Sequence, residues 1–151
     1  MRGLPGSGGY GIEIWPPVNG GTVKASIDHC DVESSSGGIE LVGETGTTID
    51  LVVRDSVLAF NGGGLSVEAN PGGFVQAFAD RCSFFGNGSG IYTNNPNARL
   101  RVTRSSITNN VTGMSAYLGG AIETIGNNMV RGNGTDKDVD GASTITIRPG
   151  D

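Results

Sequence analysis

Glu13 and Glu40 sit in matching tetrapeptides, GIEI at 11–14 and GIEL at 38–41. If the two segments stack as neighbouring strands, the carboxylates face one another near the roughly 5 Å separation used by retaining glycosidases. Like charges stacked in this way cost energy unless the first segment drifts and lets the pair splay into water. Trp15, Tyr92 and Tyr117 fall on the same face. Aromatic rings beside acids can stack on sugar rings, although scattered exposed aromatics are also common on surfaces without ligands. A second group is charged. Asp28, Arg54, Asp80 and Thr103 form one series, and His29, Asp55, Arg81 and Arg104 form another one position later. Signs alternate as far as Arg81, which is the pattern of surface ion-pair columns that hold register, each contact adding little. His29 has no serine nucleophile pattern near it and reads as a member of its column.

Bringing these residues together needs a scaffold that returns at a fixed interval, and the chain has one. Cys30, Ser56, Cys82, Ser105 and Asn128 follow one another at steps of 26, 26, 23 and 23. Two residues after each stands a large apolar group: Val32, Leu58, Phe84, Ile107 and Val130. Five residues after each stand Ser35, Asn61, Asn87, Asn110 and Asn133. Gly38, Gly64, Gly90 and Gly113 each precede an apolar residue, and alternating segments such as Ile49-Leu51-Val53 precede the anchors. The fifth copy fits less well before Asn128 and after Asn133.

Three short alternating strands in each period define a solenoid, whose equivalent residues stack about 4.8 Å apart. A leucine-rich horseshoe is excluded by the missing L-x-x-L-x-L consensus, and a hexapeptide helix by the missing six-residue period. The expected fold is all-β: a right-handed single-stranded parallel β-helix of about five coils with an asparagine ladder. It forms one domain over residues 1–151, with an incomplete N-terminal coil at 1–21, repeated coils over 22–141 and a final strand over 142–151. Asn takes the left-handed conformation of a sharp turn at low cost, and inward amides can satisfy one another from coil to coil. Gly ahead of the third strand is expected to supply a positive φ. The sequons at Asn87, Asn110 and Asn133 are then poor glycosylation acceptors, because their amides point inward. Cys30 and Cys82 share an inward column two coils apart, about 9.6 Å, beyond the roughly 7 Å limit for a disulfide. Both are expected to be free and buried.

These columns resemble the right-handed parallel β-helix repeats of the pectate lyase-like superfamily over nearly the whole chain. The resemblance extends to fold, since no enzyme signature is present. It implies a cleft along the strands that precede the anchors, with acids that bind Ca²⁺ or act as general acid and an Arg as base. Asp28, Arg54, Asp80 and Arg81 would be the catalytic candidates, flanked by Lys24 and Arg101. Ca²⁺ belongs to that reading alone; otherwise no cofactor or metal is expected. The short connections ANPGG (69–73) and NNPNA (94–98) leave little to wall a deep groove.

Composition excludes other classes. Net charge is −5, so there is no broad basic face for nucleic acid or an anionic membrane surface. No run of about 18 apolar residues appears, and the opening MRGLPGSGGYG lacks the apolar stretch of a signal peptide. The resemblance alone implies an extracellular or cell-surface location. The expected function is a non-catalytic module, surface- or polysaccharide-associated, binding glycan or a protein partner through its outer faces. Its candidate ligand-binding residues are Glu13, Trp15, Glu40, Tyr92 and Tyr117. The alternative is a polysaccharide lyase or hydrolase using the charged panel. Solenoid ends expose apolar cross-section and unpaired strand edges, so the chain is expected either to continue a longer β-helix or to pair end to end with another copy.

Overall fold

Alternation of apolar and polar residues favours strands with one buried face, and Gly, Asn and Pro punctuate the chain between such runs. In the computed structural model, which describes residues 9–148, these runs become seventeen strands and no helix. They stack as a parallel β-solenoid of about five turns with three faces. Sheet I contains β2 (Gly21–Asp28), β5 (Thr47–Arg54), β8 (Phe74–Asp80), β11 (Ala98–Thr103), β14 (Ala121–Ile125) and β17 (Thr144–Arg148), in that spatial order. Sheet II contains the short strands β3 (Asp31–Glu33), β6 (Val57–Ala59), β9 (Ser83–Phe85), β12 (Ser106–Thr108) and β15 (Met129–Arg131). Sheet III contains β1 (Tyr10–Ile14), β4 (Gly37–Gly43), β7 (Gly63–Ala69), β10 (Ser89–Asn94), β13 (Thr112–Tyr117) and β16 (Thr135–Val139). Residues 1–8 of the expected first coil and 149–151 of the expected final strand lie outside the described residues.

The core is a set of rows. Val32, Leu58, Phe84, Ile107 and Val130 pair in register along sheet II, and Phe84 is fully buried. On sheet I the row Ala25, Leu51, Ala77, Leu100, Ile122, Ile145 alternates small and large at first, so neighbouring rungs interlock. Cys82 is buried, but Cys30, on the first rung of its row, is only half-buried; both thiols are free. The change of period from 26 to 23 residues falls wholly between sheets III and I. Seven steps separate Glu68 from Val75 and four separate Asn94 from Ala98, although each pair keeps the same register.

The corners work differently from the expectation. The residue in the left-handed region is the one before the Asn: Phe60 has φ 56° and Asn109 has φ 57°, while Asn61 and Asn110 have ordinary values. The same holds one corner earlier, where His29, Asp55, Arg81 and Arg104 have φ between 47° and 52° and immediately precede the anchor residues. The Asn side chain instead fastens one coil to the one before it. Asn87 Oδ1 accepts from the Asn61 N–H at 2.9 Å, while its Nδ2 donates to the Leu58 carbonyl at 2.9 Å and to Asn110 Oδ1 at 3.1 Å. Asn61, Asn110 and Asn133 repeat the donation to the Val32, Phe84 and Ile107 carbonyls. The anchor column does the same with smaller groups. Ser56 Oγ accepts from the Cys30 N–H, Ser105 Oγ from the Cys82 N–H, and Asn128 Oδ1 from the Ser105 N–H.

The glycine column is explained by this packing, not by backbone conformation, since Gly38, Gly64, Gly90 and Gly113 have no positive φ. A Cβ on Gly90 would lie 2.6 Å from the Gly113 carbonyl oxygen and 2.9 Å from Asn110 Nδ2. Only the residue without a side chain leaves room for the amide. Gly90→Ala should therefore destabilise the protein by about 1–3 kcal/mol in chemical denaturation, whereas Gly141→Ala, whose Cβ meets nothing within 4 Å, should be nearly neutral. Asn87→Ala orphans the Asn61 N–H and the Leu58 carbonyl, at about 1–3 kcal/mol for each buried group left unpaired, and should cost more than Asn133→Ala at the more exposed last rung. Equal losses at Gly90 and Gly141 would sink this account of the corner.

Candidate functional site

Asp28, Arg54 and Asp80 are successive rungs of sheet I, as the repeat required. Their charges do not pair along that row. Asp28 meets its chain neighbour His29, Nδ1 to Oδ1, at 2.9 Å, and Arg54 is exposed with no ion pair among the described residues. Asp80 is 3% exposed. It is held by Arg104, whose Nε and Nη2 donate to its two oxygens at 2.8 and 2.6 Å, and by Arg81 Nη1 at 2.8 Å. Arg81 also donates through Nε and Nη2 to both oxygens of Asp55 at 2.6 Å. The left-handed residues ahead of the anchors are what bring these guanidinium groups together. Asp55, Arg81 and Arg104 are all such residues, and with Ser83 and Ser106 they line a wide, shallow depression of about 510 Å³ at the corner of sheets I and II.

The electrostatics follow from those contacts. The Arg104 hydrogen bonds hold the Asp80 carboxyl below its ordinary range against the opposing effect of burial, and the Arg81 hydrogen bonds do the same for Asp55. The same carboxylates raise both arginines, so Arg81 stays protonated and cannot accept a proton. Asp28, His29 and Asp55 bring three donor atoms within 4.8 Å of one another, but both Asp55 oxygens already serve Arg81. Asp28 and His29 alone remain for a cation. Sequence reasoning placed Arg104 in its column without seeing that it closes over Asp80. The change of period obscured a contact that joins neighbouring coils 24 residues apart.

The outer face of sheet III carries the second set. Glu13 and Glu40 are directly opposed in register. Glu13 is exposed and Glu40 is half-buried; burial raises the Glu40 carboxyl, a hydrogen bond with Tyr10 opposes the rise, and Glu68 and Glu13 add to it. Glu40 in turn raises the Tyr10 hydroxyl. Trp15, 59% exposed, donates its indole N–H to Glu44 at 2.9 Å. Trp15 lies on the first coil and Tyr117 four rungs further on, about 19 Å away at the usual strand spacing, so the three aromatics do not form one cluster. Tyr92 and Tyr117 do meet, with ring centroids 6.0 Å apart and planes tilted by 52°. The Tyr117 hydroxyl donates to Asp138; burial raises the Tyr92 hydroxyl, and Glu68, on the neighbouring rung two residues along from the partner of Tyr92, adds to the rise. The ring pair is therefore edged by carboxylates.

Sheet I has one more feature that the sequence did not reveal. An open groove of about 340 Å³ crosses its outer face, floored by Val52 and Phe78 and flanked by Gln76, Arg99 and Arg101. Arg101 is tied to Glu123 at 2.8 Å, and Arg148 pairs with the same carboxylate. Comparison of the chain with known protein families, with curated proteins and with solved structures finds no match.

The Asp80 carboxyl lies below its ordinary value of about 3.9, so its pairing adds stability above that pH and loses it as pH falls through the lower folded-state value. Asp80→Asn should lower Tm at neutral pH, and the gap to the parent protein should close as the pH falls below about 4. Thermal melts followed by circular dichroism over that range would show it. A gap that stays constant down to about pH 2 would mean that the side chain acts through shape and not charge.

Proposed function

We propose that this chain is a non-catalytic glycan-binding module and that its ligand is a neutral polysaccharide lying across the outer face of sheet III. The observation that carries this reading is the Tyr92–Tyr117 ring pair with Asp138 and Glu68 at its edges. Aromatic faces take up the apolar face of a sugar ring, and carboxylate oxygens accept from its hydroxyls. The acids of this face, Glu13, Glu40, Glu68 and Asp138, lack an ion pair with any cation among the described residues, so the face repels polyanions and favours an uncharged chain. The charged corner supports a non-catalytic role. A base must give up its proton near neutral pH, whereas Arg81 is held in its charged form by two carboxylates. Asp80 spends its oxygens on two arginines.

A glycan array followed by isothermal titration with the best neutral oligosaccharide tests the reading. Removing one ring of the pair, Tyr92→Ala or Tyr117→Ala, should weaken binding about tenfold, and the double variant should abolish it. Arg81→Ala should leave it unchanged. Binding that survives loss of both rings would sink the proposal, and release of shorter fragments from the bound polysaccharide would refute its non-catalytic part.

A further inference from the structure

Side chains alternate along a strand, so the outward positions of sheet I face solvent, and most of them are polar. One outward row reads Lys24, Asp50, Gln76, Arg99, and the next reads Ser26, Val52, Phe78, Arg101, Glu123. Val52 and Phe78 break the pattern on adjacent rungs, and they form the half-buried floor of the open groove of about 340 Å³. We propose that this groove binds a small aromatic monocarboxylate, with its ring on Phe78 and its carboxylate on Arg99. The site is independent of the glycan reading of sheet III.

Polar side chains beside the floor make its walls, and most of their charge is already engaged. Asp50 Oδ1 accepts from Gln76 Nε2 at 2.6 Å, and Arg101 Nε donates to Glu123 at 2.8 Å. Arg99 stands on the rung after Gln76 and is exposed. Its guanidinium has no hydrogen bond or ion pair among the described residues. Of the charged groups that line the groove, Arg99 is therefore the one whose donors are unspent.

A free cation beside an apolar floor selects a ligand with the same two parts. A planar guanidinium presents two parallel N–H donors that match a carboxylate, and a ring laid on Phe78 removes apolar surface of both from water. The chain carries a net charge of −5, so an anion is held by this local contact and not by the overall field. Asp50, two rungs from Arg99 in the same row, sets a negative charge at the far end of the groove and turns away a second carboxylate. A sugar acid is the poorer match, because its hydroxyls need polar partners and the side chains of Val52 and Phe78 offer none. The volume of about 340 Å³ suits one small molecule, since such sites run from about 300 to 1,000 Å³.

Isothermal titration with 2-naphthoate tests the site. Saturable binding is expected, about tenfold or more tighter than that of 2-naphthylmethanol, which lacks the charge, or of glucuronate, which carries the charge on a polar ring. Arg99→Gln should remove the preference for naphthoate over the alcohol and leave binding of the alcohol unchanged. Phe78→Ala should weaken both about tenfold. If circular dichroism shows that this variant is not folded, Val52→Asn makes the same test on the same floor. Arg131→Gln, an equal change of charge on sheet II, should bind naphthoate as the parent protein does, and so should the Tyr92→Ala, Tyr117→Ala double variant. Absence of saturation, equal affinity for glucuronate, or a preference that survives Arg99→Gln would overturn the proposal. Loss of binding in the tyrosine double variant would place the probe on sheet III and overturn it as well.

Discussion

A hydrogen bond from a corner side chain to the backbone of the preceding coil is the interaction on which the rest of this protein depends. A solenoid turns sharply at each corner, and a sharp turn strips backbone groups of the partners that a strand would provide. Here Asn87, Asn110 and their counterparts supply both a donor and an acceptor to the coil before, so the corner closes without water. One corner earlier Ser56 and Ser105 give the coil before an acceptor alone, while Asn128 accepts from the Ser105 N–H and donates to the Val102 carbonyl. The register of sheets II and III then follows, because their strands begin from corners already fastened. Glycine at Gly64 and Gly90 is the other half of the same device, a space kept open for the amide.

The charged corner obeys a related rule. Asp80 is buried, and a buried carboxylate needs its oxygens occupied. Two arginines from successive coils occupy them, and one of these spans to Asp55 as well. What the repeat presents as an alternating column of charge is therefore a clasp that crosses between columns. A group so fully paired has little left for substrate. The face of sheet III is the reverse case, with carboxylates that have no cationic partner among the described residues and two half-buried tyrosine rings.

Much of this was legible in the sequence because a solenoid writes its geometry as column spacing. The inward rows through Phe84 and Leu100, the stacking of Glu13 on Glu40 and the freedom of both thiols all follow from counting residues. The corners were less legible, since spacing fixes which residue stands at a turn but not which of two adjacent residues bends. Phe60 and Arg81 take the left-handed conformation although neither is a residue type that favours it. Cys30 is half-buried although its column points inward, and it stands on the first rung of its row among the described residues. Pairing of side chains, as in Arg104 with Asp80, depends on which rotamer reaches across a coil, and residue type alone does not say that.

The connection between sheets III and I changes length by three residues without moving a single rung, since Asn94 still stacks on Glu68 and Ala98 on Val75. That corner is thus an expansion joint. Lengthening a flexible loop there costs little, each doubling adding only about 0.6 kcal/mol in closure entropy, and no row has to be rebuilt. It borders the open groove of sheet I, so grafted segments would raise a wall beside Phe78 and Arg99 while the frame stayed as it is. The molecule carries a ready place for diversification, where new recognition can be tried at almost no risk to the fold.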